Sequence, residues 1–185
     1  MDFNMHFDLE GRHAFLSPSK HSWVNYSDDK LVQSYRNHLA VKRGTELHDL
    51  ASRLIKLQVT LADNNKTLNR FVNDAIYYGM ESEQVLRASD YCFGTADAIS
   101  CDGRILRIHD LKTGVTKASM AQLMVYAAIF FIEYQFDYDP RTLPVELRIY
   151  QNDEITVYVP EPHELIAIMD KILYFSIVLA EEANN

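Results

Sequence analysis

Apolar positions recur at helical spacing over residues 17–80 and at strand-like spacing after residue 85, so the chain reads as helices followed by a sheet. Residues 1–16 mix polar and aromatic positions without a clear period and are expected to form an N-terminal arm or a first strand. Ser17-Pro18-Ser19 reads as a helix start, with a capping serine and proline at the first helical position. A second helix is predicted over 28–41, with Asp28 and Asp29 at its positive end. A third follows Gly44-Thr45, because Leu47, Leu50, Ala51, Leu54, Gln58 and Leu61 fall on one helical face. A fourth, over 64–79, ends at Gly79.

Residues 85–101 then carry strand-type side chains, and Asp102-Gly103 separates them from a second run over 104–111 that ends at Thr113-Gly114. Asp-Gly between two such runs is a strong hairpin signal. A strongly apolar helix is predicted over 118–135, followed by a loop over 137–144. Strands over 145–150 and 155–159 are joined around Asn152-Asp153, and Pro160-Glu161-Pro162 opens a last helix over 161–182. In that helix Leu165, Ile168, Met169, Ile172, Leu173, Phe175 and Ile177 exceed one stripe, so it is either well buried or shared with another subunit. With no repeat and no long linker, 1–185 reads as a single α/β domain. A helical region over 17–80 precedes a sheet core over 85–160, and helices flank a small mixed central sheet.

Composition agrees with a packed domain. The 185 residues fit one domain against a prior of about 150, and 48% hydrophobic with 24% charged residues excludes a disordered chain. The 26 acidic against 18 basic residues give −8, which read alone argues against a broad electrostatic DNA binder. A nucleic acid would have to be held in a narrow channel lined by a few cations. Cys92 and Cys101 are too few for a disulfide scaffold or a four-cysteine zinc or iron–sulfur site. The N-terminus lacks a signal-peptide pattern, and the longest apolar run, 123–132, is half of the ~20 residues that span a bilayer. A cytoplasmic protein without membrane contact is expected.

The hairpin carries the chemistry. With Asp102 and Gly103 as a two-residue loop, Cys101 faces Arg104, Asp97 opposes Ile108 and Thr95 opposes Asp110. Opposed residues share a sheet face and each strand alternates with period two. Asp97, Asp110 and Lys112 therefore project from one face, with Asp97 and Asp110 as diagonal neighbours. Phe93, Ile99, Cys101, Leu106 and Ile108 accompany them, while Arg107 and His109 take the other face. Charges on a core-facing surface are costly unless paired or bound to a cation. Two carboxylates beside an ammonium suit Mg²⁺ or Mn²⁺ and an anionic substrate. Plainer readings stay open: Asp97 as a turn cap, Asp110 and Lys112 as an ion pair, His48 at the edge of an apolar stripe, and Gln122 and Tyr126 as polar residues on a buried helix.

Five ordered elements then sharpen the picture: Leu16-Ser17-Pro18-Ser19 with Trp23; Gly44 followed by His48; Gly94-Thr95-Ala96-Asp97; Asp110-Leu111-Lys112-Thr113-Gly114; and Gln122 with Tyr126, four apart on one helical face. Across residues 16–126 the chain resembles the PD-(D/E)XK nucleases, in their RecB-like and phage-type (lambda exonuclease-like) exonuclease branch. The resemblance implies a restriction-endonuclease-like core. It also implies metal ligation by His48, Asp97, Asp110 and the Leu111 backbone carbonyl, with one or two Mg²⁺ or Mn²⁺ ions. Lys112 is then the residue that orients the attacking water or stabilises charge, and Gln122 and Tyr126 support it and touch the nucleic-acid backbone. The implied reaction is hydrolysis of DNA phosphodiester bonds, as in phage-recombination exonucleases, in the host cytoplasm if the chain is phage-encoded. Tyr26 stands near where iron–sulfur members carry their first cysteine, so a version without an iron–sulfur cluster is implied. Lys20, Lys42, Arg43 and Lys117 flank the motifs and are candidate phosphate contacts. A homo-oligomer or a recombination partner protein is a further expectation. Other readings are a sequence-specific endonuclease on the same core, a weak or inactive nuclease-fold subunit, and an acidic DNA mimic acting as an inhibitor. The mimic would explain −8 but needs no Asp97, Asp110 and Lys112 on one face.

Overall fold

The computed structural model describes residues 14–183 together with Phe7 and Gly11, so most of the expected arm over 1–16 lies outside the described residues. The chain divides into a first unit, Met1–Thr45, and a second, Glu46–Asn185. In the first unit the helix predicted from Ser17-Pro18 is a 3₁₀ segment, Pro18–Asn25, interrupted at Lys20 (φ −118°, ψ 56°). Ser17 contributes no side-chain cap; its carbonyl instead accepts the Trp23 indole N–H at 3.0 Å. Phe15 packs edge-on against Tyr35, ring centroids 5.0 Å apart.

Helix α1, Asp28–Lys56, replaces the two helices expected over 28–41 and after Gly44. It contributes its residues from Glu46 onward to the second unit. A glycine inside a helix costs about 1 kcal/mol relative to alanine, too little to end one whose neighbours are good helix formers. Gly44 is buried within it. The apolar stripe is also rotated from the expected one: Ala51 and Ile55 are buried, whereas Leu50 is exposed. Gln58 and Leu61 lie beyond the helix end.

The second unit is a mixed five-stranded sheet, in the order β1 (Glu81–Ser89), β2 (Cys92–Cys101), β3 (Leu106–Leu111), β4 (Val145–Gln151), β5 (Glu154–Tyr158). The β3–β4 pair is parallel and the others are antiparallel. The single strand expected over 85–101 is two, because a turn at Asp90-Tyr91 folds it; the Ser89 hydroxyl accepts the Tyr91 N–H at 3.2 Å. The Asp102-Gly103 hairpin exists with a longer loop. Asp102 Oδ1 accepts the N–H groups of Arg104 and Ile105 at 2.9 and 3.0 Å, and Gly103 takes φ 78°. Cys101 consequently pairs with Leu106 and Ile99 with Ile108, a slip of two from the expected register. A slip of two preserves facing where a slip of one would invert it, so Ile99, Leu106 and Ile108 share a cluster as expected, whereas Ala96 joins that cluster and Ala98 the opposite one because β2 changes facing between them. Asn152 and Asp153, both left-handed (φ 52° and 61°), form the expected tight turn between β4 and β5.

Helices cover both faces. Helix α3, Ala121–Glu133, is the crossover of the parallel β3–β4 pair and buries Leu123, Ala127, Ala128, Phe130 and Phe131. Helix α4, Pro162–Ala183, adds Leu165, Met169 and Ile172 to the same cluster, which includes Ile99, Leu106, Ile108, Leu147 and Ile149. Beyond Ile172, Tyr174, Phe175 and Ile177 of α4 are exposed. On the other face, Ala51 and Ile55 of α1 join Phe71, Val72 and Ala75 of α2 (Thr67–Tyr77) against Ala98, Leu111 and Tyr150. The architecture is thus a mixed sheet flanked by helices, as the pattern of the chain implies. No helix among the described residues is long and apolar enough to cross a membrane.

Candidate metal centre

The β2–β3 ladder stops at Ala98–His109. One step further the same register sets Asp97 directly opposite Asp110, rather than diagonal to it as a two-residue loop would have placed them. Like charges directly opposed disfavour continued pairing, and a side chain replaces the ladder: Asp97 Oδ2 accepts the Leu111 N–H at 2.8 Å. The β1–β2 pair changes facing at the same level. Ser82 and Leu86 lie an even number of residues apart and should share a face, yet they do not. Ser82 bonds Ser52 of α1 at 3.0 Å, while Leu86 sits in the α3-side cluster. The change falls at Glu83, whose φ of 55° is left-handed. It turns Glu83 and Asp97 together towards α1, where His48 Nδ1 stands 3.3 Å from Asp97 Oδ2. One ligand atom from each of His48, Glu83 and Asp97 lies within 4.8 Å of the others.

Asp110 is 3% exposed. Its Oδ1 accepts from Lys112 Nζ at 3.0 Å, while Oδ2 is enclosed with no hydrogen-bond partner. Burial, reinforced by Asp97, pushes the Asp110 carboxyl up, with Lys112 and His48 opposing. The hydrogen bond to Asp97 raises the His48 imidazole against its own burial, and the charges of Asp97, Asp110 and Glu83 add to the rise. Loss of water and the adjacent Asp97 push Glu83 up as well. These shifts mark negative charge crowded around Asp97, with His48 and Lys112 as the neighbouring bases.

Lys112 is held from two sides, by Asp110 and by Gln122 Oε1 at 2.8 Å; its own N–H extends the β3–β4 pairing onto the Tyr150 carbonyl at 2.9 Å. Tyr126, one turn along α3, reaches β2 instead, donating to the Thr95 carbonyl at 2.7 Å. Gly94 permits that approach, since a Cβ there would stand 3.0 Å from Tyr126 Cε1. Leu111 is anchored by its buried side chain in the α1–α2 cluster. Lys117 is exposed in the β3–α3 loop. Gln151 organises this loop, donating to the Gly114 and Thr116 carbonyls at 2.6 and 2.8 Å and accepting the Ala118 N–H at 3.0 Å. Lys20, Lys42 and Arg43 belong to the first unit and are exposed.

His109 takes the other face, as expected. Burial holds it neutral, lowered to about 3. Its Nδ1 is 3.2 Å from the Tyr150 hydroxyl, which donates to Asp74 at 2.6 Å, while Arg148 spans Asp74, Tyr78 and Glu146. This network ties α2 to the strands behind Asp110. Sequence reasoning missed Glu83 and Gln151. Glu83 comes opposite Asp97 through the turn at Asp90-Tyr91, which sets β1 against β2 and which the strand-type run over 85–101 does not announce. For Gln151 the sequence holds no local signal. No protein-family model matches the chain, and no curated protein matches it.

Proposed function

We propose that the chain is a divalent-cation-dependent deoxyribonuclease that hydrolyses phosphodiester bonds, with exonuclease action of the phage-recombination type as its specific form. The observation that carries this reading is the buried, unpartnered Asp110 Oδ2 beside Asp97, with Lys112 fixed on the other Asp110 oxygen. An enclosed carboxylate oxygen without a donor is costly, and a cation relieves it. The donor set fits Mg²⁺ or Mn²⁺: carboxylates from Asp97 and Asp110, the Leu111 carbonyl, and the His48 imidazole. Bound there, such an ion supplies Lewis acidity and a lowered pKa for its water.

The chain's own residues do the rest. Gln122 and Asp110 hold the Lys112 ammonium at one point, so its charge is in place before negative charge develops on the phosphoryl oxygens. Tyr126 fixes β2, and with it Asp97, against α3. Lys20, Lys42, Arg43 and Lys117 are the proposed contacts to DNA phosphates, and a second copy of the chain or a recombination protein is the proposed partner. The net charge of −8 favours one other reading, an acidic DNA mimic that binds protein rather than DNA. Incubating linear and closed-circular duplexes with Mg²⁺ or Mn²⁺ separates the two. The nuclease reading expects cation-dependent loss of the linear DNA, abolished in Asp110→Asn. Linear DNA left intact by the wild-type chain overturns it.

A further inference from the structure

Helix α4 loses its cover halfway along its length. Its inward stripe runs through Leu165, Met169 and Ile172 to Ser176, whose hydroxyl meets that of Ser89 at 2.7 Å. Around that stripe Leu173, Tyr174, Phe175, Ile177, Val178 and Leu179 stand 41–63% exposed. The helix carries no charged residue from Ile172 to Ala180, and a helix apolar on all sides belongs in a covered position. At roughly 200 Å² for a whole side chain of this size, the six expose on the order of 600 Å². That is the upper end of what a monomer leaves open in one patch and close to the about 800 Å² per partner of a standard interface. Tyr91, whose N–H is held by the same Ser89, is exposed beside it.

The outward face of this half of α4 is its own complement. Lys171 precedes the apolar stretch and Glu182 follows it, about three turns apart and so on one side of the helix, with Tyr174, Phe175 and Val178 between them. We propose that this face is the interface of a homodimer in which two copies of α4 cross antiparallel about a two-fold axis. Lys171 then meets Glu182 of the second copy and Phe175 meets its Val178, and each contact is repeated by the symmetry. A parallel crossing would set lysine against lysine and glutamate against glutamate. A lipid surface fits less well: α4 has one lysine and no arginine against Glu164, Asp170, Glu181 and Glu182, whereas helices that lie on anionic membranes are basic on their polar face. No residue assigned to hydrolysis lies on α4, so the interface stands independently of that reading.

Sedimentation equilibrium of the wild-type chain, from micromolar to submillimolar concentration, should give the mass of two chains. Val178→Glu places a charge at the centre of the crossing and should return the chain to a monomer with its far-ultraviolet circular dichroism retained. Lys171→Glu should weaken association about tenfold or more, because like charges then face each other at both ends of the crossing. Combining Lys171→Glu with Glu182→Lys should restore it, a rescue that a purely structural role for either residue does not produce. A monomeric wild type, a dimer that Val178→Glu leaves intact, or a double variant no better than Lys171→Glu overturns the interface. A monomer that binds phosphatidylserine vesicles overturns it in favour of a lipid surface. A dimer without DNA hydrolysis would support it while overturning the nuclease reading.

Discussion

At Gly94 a missing side chain shapes the site. A Cβ there would press on the Tyr126 ring at 3.0 Å and on its hydroxyl at 3.3 Å, both closer than ordinary packing. Gly94→Ala is therefore expected to push Tyr126 off the Thr95 carbonyl and destabilise the fold by about 1–3 kcal/mol, the usual range for overpacking. Tyr126→Phe removes only the hydrogen bond and should cost about 1 kcal/mol. Urea unfolding of both variants checks this; equal stability for all three proteins would show that the Tyr126–Thr95 contact holds nothing. Tyr150→Phe makes the contrasting case on the other face. It leaves Asp74 and the neutral His109 short of a buried partner, with an expected loss of about 1–3 kcal/mol. A near-neutral result would mean that water takes over the Tyr150 contacts.

Elements are held by residues far away in sequence. Helix α2 begins at Thr67 without a side-chain cap from its own N-cap residue, Lys66. The β4–β5 turn supplies it: Asp153 accepts the Thr67 N–H at 2.9 Å, the Thr67 hydroxyl at 3.1 Å and Lys66 Nζ at 2.8 Å. The pairing with Lys66, together with the Thr67 N–H, holds Asp153 down at about 2. A carboxyl lowered on folding adds stability that is present above its ordinary value and is lost as the pH falls towards 2. Asp153→Asn should lower the melting temperature at pH 7 and flatten that part of the acid dependence, read by circular dichroism from pH 5 down to pH 2. A parallel curve displaced by nothing would contradict this tie.

The same non-local ties explain what the chain discloses on its own. Strand alternation anticipated the shared face of Ile99, Leu106 and Ile108 although the Asp102 loop is two residues longer than expected, because the period of two absorbs an even slip. Asp97 escapes that alternation, since β2 changes facing next to it and Asp97 turns towards α1. Gly44 suggested a break that α1 ignores, since one helical glycine costs little against packing. Glu83 was invisible because its place depends on the Asp90-Tyr91 turn and a left-handed residue inside β1, neither of which a strand-type run announces.

For the whole molecule, the proposed grip on DNA has to work against the acidic balance of −8. If Lys20, Lys42, Arg43 and Lys117 are the phosphate contacts, as proposed, few counterions are displaced on binding. The logarithm of affinity against the logarithm of salt should fall with a slope no steeper than about −4. Fluorescence anisotropy of a labelled duplex with Ca²⁺ measures this, and a slope twice as steep would place many more cations on the DNA than these.

Lys112, fixed by Asp110 and Gln122, is proposed to act on a phosphodiester beside a bound cation. Comparing wild type with Lys112→Ala, as the initial rate of nucleotide release from linear duplex in Mn²⁺, tests it most directly. A loss of about 100-fold or more is expected, as when a group stabilising transition-state charge is removed, with the melting temperature and Mn²⁺ affinity retained. An undiminished rate in the variant, or no release by the wild type, would contradict the account.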